Sequence, residues 1–364
     1  MSWLLAFTGF ALLIILHEAG HFAAAKAVGM RVERFSLFFG RPLVSFRRGE
    51  TEYGIGPIPL GGYVRITGMN PREEFSDDVA VRAYYRQPVW KRIVVIAAGP
   101  AVNLVIAFVI LWALFLANGT YVGTHKVSAQ DLGQPATRYL QPGDRIVSVD
   151  GVRGDLTTIA TQVRRHRCAG TPVKGCVAQT PAHVVVVRDG GTAAGGGGRM
   201  AFDIRPQYDA QLRFMRLGFT YAERHQTYGL AGAAGQSVSG MWDVTKKTLS
   251  VFAHIFEPRE RKQVGSVVGA YHVTQQSFSS DVTTALGILA LISLSLAIVN
   301  LFPFLPLDGG HIFWALAEKV RGRAIPFSIM ERASVIGFAL MIMLFVIGFS
   351  NDLERFHNGG FNLR

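Results

Sequence analysis

Cysteine is nearly missing: 364 residues hold two, Cys168 and Cys176. Two thiols are too few for a four-cysteine zinc ribbon, and their closeness leaves a local disulfide or two free thiols. Charge is scarce as well. Only 17% of residues are charged, against 49% hydrophobic. That is too apolar for most soluble proteins and too charged for a bare membrane bundle. Acidic residues are outnumbered by basic ones, 25 to 37, which leaves a net charge of +12. Such a balance fits nucleic acid or an anionic membrane surface. No basic segment precedes the first apolar run, so that run reads as a retained helix and not a cleaved signal peptide.

What is present is long apolar sequence. A spanning helix needs about 20 predominantly apolar residues. Four segments meet or approach this: 1–25, 93–117, 285–307 and the shorter 333–349. The second carries no charged residue. Between them lie the connections 26–92, 118–284 and 308–332, followed by a tail, 350–364. The 26–92 connection holds twelve Lys and Arg residues, and 308–332 holds Lys319, Arg321, Arg323 and Arg332. The positive-inside rule places both connections in the cytoplasm, with both termini and 118–284 outside. Basic residues that flank membrane spans argue against a nucleic-acid partner and for the lipid bilayer.

Segment 118–220 predicts a compact, mostly β domain. Residues 127–151 read as a small helix, a tight turn at 142–144 and a strand, with Asp150-Gly151 as a hairpin turn. Strands are expected at 183–190 and 200–206, joined by a glycine-rich tip at 190–198. In the linker 221–284, apolar residues at helical spacing predict an amphipathic helix over 237–256, on the membrane surface or against the bundle. The charged stretch 257–263 reads as solvated.

The first apolar run contains HEAGH. His17 and His21 stand four apart, on one helix face, where both imidazoles can reach one metal ion with Glu18 beside it. Two buried structural histidines are the plainer reading. Inside a lipid-facing helix that reading leaves three polar groups to satisfy without a ligand. Zinc suits two nitrogens, one oxygen and an open position. The third ligand could be Asp308 in NLFPFLPLDGGH (300–311), where two prolines break the helix and two glycines permit a sharp turn. Asp308 could equally cap the helix that follows, and His311 is a rival ligand. Asn103, the polar residue of the second run, reads either as a hydrogen-bond partner of unwound substrate or as helix–helix glue. YGIGPIPLGGYVRI (53–66) has the punctuation of a β-hairpin with an exposed edge. Such an edge, with Gly61 and Gly62 in it, could hold an extended substrate by strand addition.

HEAGH, GPAVN (99–103), GPIPLGGYV (56–64), QPGDRIVSVDG (141–151) and NLFPFLPLDGG (300–310) together resemble the site-2 protease family of intramembrane zinc metalloproteases. The likeness is strongest to the bacterial branch that cleaves membrane-bound anti-sigma factors, and it spans most of the chain. It implies a polytopic α-helical membrane protein of about four transmembrane helices in the bacterial inner membrane. A membrane-associated β-hairpin and an inserted extracytoplasmic PDZ-like domain complete the expected fold. It also implies His17, His21 and Asp308 as zinc ligands, Glu18 as catalytic base, and Asn300 as a group holding substrate or the developing oxyanion. The expected reaction is hydrolysis of a peptide bond in a single-span protein, such as an anti-sigma factor already trimmed by another protease. Family members often carry two PDZ domains; the space here fits one, which could bind peptide or exclude bulky substrates. A metal transporter and an inert PDZ-bearing scaffold are the rival classes.

Overall fold

The computed structural model describes residues 2–357 apart from 71, 72, 74, 130, 131, 189–197, 211, 213, 256, 258–260, 262 and 263. The predicted tip at 190–198 lies outside the described residues except for Gly198, and so does most of 257–263. The chain forms two compact units, Met1–Ala117 with Gly229–Arg364, and Asn118–Tyr228.

Among the described residues, four helices are long and apolar enough to cross a membrane: Ser2–Ala27, Val89–Asn118, Val282–Asn300 and Ser328–Arg355. They are called the first to fourth apolar helices below. Large apolar side chains such as Leu12, Val105, Val109, Phe338 and Phe345 are left exposed on them. That is costly in water and natural in lipid. The first helix ends in a Schellman motif: Met30 N–H donates to the Ala25 carbonyl and Gly29 N–H to that of Lys26. Gly29 supplies the left-handed residue, at φ 83°. The cap turns the chain directly into a sheet.

That sheet comprises β1 (Val32–Phe39), β2 (Val44–Arg48), β3 (Thr51–Ile55) and β4 (Ile58–Ile66), in the order β2-β3-β1-β4. β2 and β3 form the hairpin. The expectation of a hairpin over 53–66 is corrected: β3 runs parallel to β1, β4 runs antiparallel to β1 on its other side, and the two never pair. The chain crosses the end of β1 at Gly56, whose N–H donates to the Leu37 carbonyl at 2.7 Å. A Cβ there would strike the Phe38 and Phe39 carbonyls, so only glycine makes this crossing. β4 remains an edge strand, with no neighbour on its outer side among the described residues.

Glu50, in the β2–β3 turn, fastens the sheet to the rest of the unit. It accepts from Arg82 at 2.7 and 2.8 Å and from Lys26 at 2.6 Å. The Arg82 hydrogen bonds, helped by Lys26, hold its carboxyl down at about 2 against a burial cost. The folded value lies below the unfolded one, so the stabilisation is present above the ordinary carboxylate range and is lost as pH falls from about 4.5 to about 2. Melting curves in detergent micelles are expected to show a decline across that window that Glu50→Gln flattens. An unchanged pH profile in that variant would deny the clamp its role.

The third apolar helix begins earlier than expected and stops at Asn300, not at 307. Pro303 and Pro306 lack the N–H groups that would continue it. A turn over 301–307 leads into a second helix, Asp308–Arg321, which ends at the left-handed Gly322. The expected cytoplasmic connection 308–332 is therefore largely helical. The linker helix runs Leu230–Ala253, starting ahead of the predicted 237. Its Met241 and Val244 pack on Ala107, Leu294 and Ile298, while Val238, Trp242 and Leu249 stay exposed.

A further helix, Val267–Ser280, is capped twice. Its Ser266 hydroxyl accepts from the Val268 and Gly269 amides. Asp352, from the fourth apolar helix and 1% exposed, accepts from Ser266 N–H and Oγ–H at 2.7 Å and from Gly269 N–H at 3.2 Å. Asp352→Ala is expected to cost on the order of 2 kcal/mol, because a cap is lost and buried amides lose their acceptor. Thermal unfolding in micelles measures this, with Asp352→Asn expected to cost less.

The smaller unit is a five-stranded antiparallel sheet in the order β11-β5-β6-β7-β8. Its strands are β5 (Thr120–Val127), β6 (Arg145–Val149), β7 (Ala182–Arg188), β8 (Gly198–Ile204) and β11 (Tyr221–Gln226), with β9 (Gln207–Asp209) and β10 (Phe214–Arg216) forming a separate ladder. Ile146, Val149, Val184, Val186 and Ile204 fill the core. The unit reaches Tyr228, beyond the expected boundary at 220, because β11 pairs with β5. Asp150 and Gly151, both at positive φ, close the Val149–Val152 bridge as the expected two-residue turn. A helix not expected, Leu156–Arg164, packs Ile159 and Val163 on the sheet. Cys168 and Cys176 are disulfide-bonded.

Candidate metal centre

His17 and His21 lie one turn apart on the first apolar helix and are 6% and 7% exposed. Asp308 opens the helix after the 301–307 turn. Its Oδ2 lies 3.3 Å from His17 Nε2 and 3.4 Å from His21 Nε2. The two Nε2 atoms are 3.3 Å apart. Among the described residues, this trio is the one group of three whose ligand atoms all lie within 4.8 Å of one another. His311, the rival ligand, is not part of it.

The tautomer of His21 is fixed from outside. Its Nδ1 lies 2.9 Å from the Val95 carbonyl, which can only accept. Nδ1 therefore carries the hydrogen, and the neutral ring presents a lone pair at Nε2. That lone pair and His17 Nε2 both face a buried carboxylate oxygen that has no hydrogen-bond partner among the described residues. Lone pairs converging in a buried space repel unless a cation lies between them. The donor set of two imidazoles and one carboxylate fits zinc.

Local sequence explains each placement. The 301–307 turn folds back so closely that a Cβ on Gly309 would strike the Leu301 carbonyl, and one on Gly310 would lie 2.5 Å from Leu305 N. The two glycines thus let Asp308 follow the helix break at once. Its helix is held to the second apolar helix by a two-pronged ion pair, Arg92 Nη1 and Nη2 to Glu318 at 2.9 and 2.7 Å. Asn300, the last residue of the third apolar helix, brings Nδ2 to 3.4 Å from His17 Nε2.

Glu18 is half-buried beside the trio and faces β4. A Cβ on Gly62 would lie 3.0 Å from Glu18 Cγ, and one on Gly61 would lie 2.6 Å from the Phe39 ring. Both glycines permit close approach, so β4 runs past Glu18. Asn103 is fully buried, with Nδ2 3.1 Å from His17 Nδ1. Two participants escaped the sequence reading. The Val95 carbonyl could not be found there, since any residue has one. Arg92, at the start of an uncharged run, was visible but its partner Glu318 was not.

Two histidines on one helix turn and a carboxylate from a distant helix fit the donor set of a zinc hydrolase, and the glutamate beside them is the residue type of its base. The profile of peptidase family M50 matches residues 5–344. The zinc metalloprotease Rip1 of Mycobacterium tuberculosis is 31% identical over 350 residues, covering 85% of this chain and 83% of its own; Rip1 of Mycobacterium bovis matches to the same extent. A provisionally named zinc metalloprotease of Brucella suis biovar 1 is 28% identical over 359 residues, covering 93% and 92%. The chain belongs to peptidase family M50, the site-2 proteases, and is a zinc-dependent metalloprotease of that family.

Proposed function

We propose that this protein hydrolyses a peptide bond within or near the transmembrane segment of a single-span membrane protein. The observation that carries the reading is Asp308 Oδ2 at 3.3 and 3.4 Å from two imidazole nitrogens of the first apolar helix. His17, His21 and Asp308 would hold the zinc ion. Zinc bound there supplies Lewis acidity, which polarises a carbonyl and makes water a stronger nucleophile.

The chain's own residues do the rest. Glu18 takes a proton from the attacking water as its oxygen bonds the peptide carbon, then delivers it to the amine nitrogen as the C–N bond breaks. Asn300, beside His17, donates to the carbonyl oxygen as negative charge develops on it. The free edge of β4 binds the substrate as an added strand, and Gly61 and Gly62 let that strand pass close to Glu18. An extended backbone is what a protease needs, and an intact helix would hide its amides.

The substrate class is an anti-sigma-factor-like protein already shortened by another protease. The 118–228 unit is read as a PDZ-like module outside the bacterial inner membrane, with both termini on the same side. It binds peptide or excludes bulky substrates. The decisive experiment is zinc analysis of purified protein together with cleavage of a single-span substrate in liposomes. One zinc per chain, lost with cleavage in Asp308→Ala, is the expected result. Unchanged zinc content in that variant would remove Asp308 from the centre.

A further inference from the structure

Both histidines are addressed from behind by one face of the second apolar helix. Val95, Gly99 and Asn103 stand at i, i+4 and i+8, so they line a single stripe. His17 and His21 stand at i and i+4 on the facing helix. The pairing runs in opposite senses, His21 against Val95 and Gly99, His17 against Asn103. Val95 fixes the tautomer of His21, as shown above. For His17, whose Nε2 faces the same point with Asn300 Nδ2 at 3.4 Å, the group opposite Nδ1 remains to be assigned.

Asn103 is that group. It is fully buried, its Nδ2 lies 3.1 Å from His17 Nδ1, and its Oδ1 has no hydrogen-bond partner among the described residues. The two ends of a carboxamide are equal in shape, so the amide can face His17 in either sense. With NH₂ toward the ring, Nδ1 must accept and the hydrogen sits on Nε2, where a metal ligand needs its lone pair. With oxygen toward the ring, Nδ1–H donates, Oδ1 gains a donor and Nε2 is free. The second arrangement is the one compatible with three converging ligands.

We infer that Asn103 is a positioning residue whose side-chain oxygen accepts the Nδ1–H of His17 and holds the Nε2 lone pair toward the zinc ion. The inference rests on the proposed zinc centre. It makes the GPAVN segment an outer shell for both imidazoles, with Gly99 giving room to one and Asn103 orienting the other. Outer-shell partners of histidine ligands typically contribute 10–100-fold in metal affinity.

The test is zinc affinity of the full chain in detergent micelles, by competition with a chelator, with the visible spectrum of the cobalt-substituted protein as a second readout. Asn103→Leu removes the acceptor and is expected to weaken zinc by about 10–100-fold and to alter the cobalt bands. Asn103→Asp is nearly isosteric and can only accept. It is expected to bind zinc at least as tightly as wild type, with the same cobalt bands. Wild-type affinity in Asn103→Leu overturns the inference. So does tenfold weakening in Asn103→Asp, which decides the matter even if Asn103→Leu fails to fold. Equal zinc in wild type and Asp308→Ala would instead sink the underlying metal centre, and this inference with it.

Discussion

Glu18→Gln is expected to keep zinc bound and to lower peptide cleavage by about 10²–10⁴-fold, the usual contribution of a general acid–base residue. Glu18 is not one of the three converging ligands, so its loss leaves the donor set intact. Glutamine has the same outline, which matters because β4 presses on this side chain: a Cβ on Gly62 would lie 3.0 Å from Glu18 Cγ. The amide fits, yet it cannot receive a proton from water or return one to the leaving amine. Zinc content, melting temperature and cleavage of a single-span substrate should therefore separate cleanly in this variant. Cleavage within a few-fold of wild type would take Glu18 out of the reaction.

Gly99→Ala should be nearly as damaging for a purely steric reason. A Cβ at Gly99 would run into Nε2 of His21 and lie 2.6 and 2.8 Å from its Cε1 and Cδ2. The ring cannot retreat freely, because Nδ1 is tied to the Val95 carbonyl at 2.9 Å. The imidazole must leave its place opposite Asp308. A shift of about 1 Å in a reacting constellation can cost on the order of 10²-fold in rate, and metal affinity should fall with it. Gly287, in the third apolar helix, is the control. A Cβ there meets only Leu114 Cδ1, at 3.9 Å. Gly287→Ala is expected to be neutral or mildly stabilising, since alanine favours a helix more than glycine does. Equal zinc binding and cleavage in both variants would mean that the Gly99 contact is not needed.

Some features follow from local chemistry and were readable residue by residue. The apolar runs predicted three helices, and the helices Ser2–Ala27, Val89–Asn118 and Phe327–His357 contain them, the second continuing through Pro100. Asp150-Gly151 became a tight turn because both positions adopt positive φ, which Asp and Gly tolerate. The helix Leu156–Arg164 could have been found too. Asp155 caps it, accepting from Thr158 N–H at 2.7 Å, and Leu156, Ile159 and Val163 repeat at helical spacing. The end of the third apolar helix was also legible, in Pro303 and Pro306.

Pairing between distant segments is different. The turn signals at 53–66 marked two strands and a reversal, yet β1 inserts between those strands. No local rule specifies which strand fills a gap, since hydrogen bonding in a sheet is set by backbone and not by side-chain identity. The same limit hid β11 from the smaller unit.

The sequence by itself determined the chemistry available: two imidazoles on one helix face with a glutamate between them, and a lone carboxylate at a helix break. Helical period and proline geometry are local, so they fix such features without reference to the rest of the chain. Only the tertiary structure decided that these groups meet, that Val95 and Asn103 stand behind the two rings, and that β4 passes Glu18. Those facts depend on how helices and strands far apart in sequence pack side by side, and packing is a property of the whole chain.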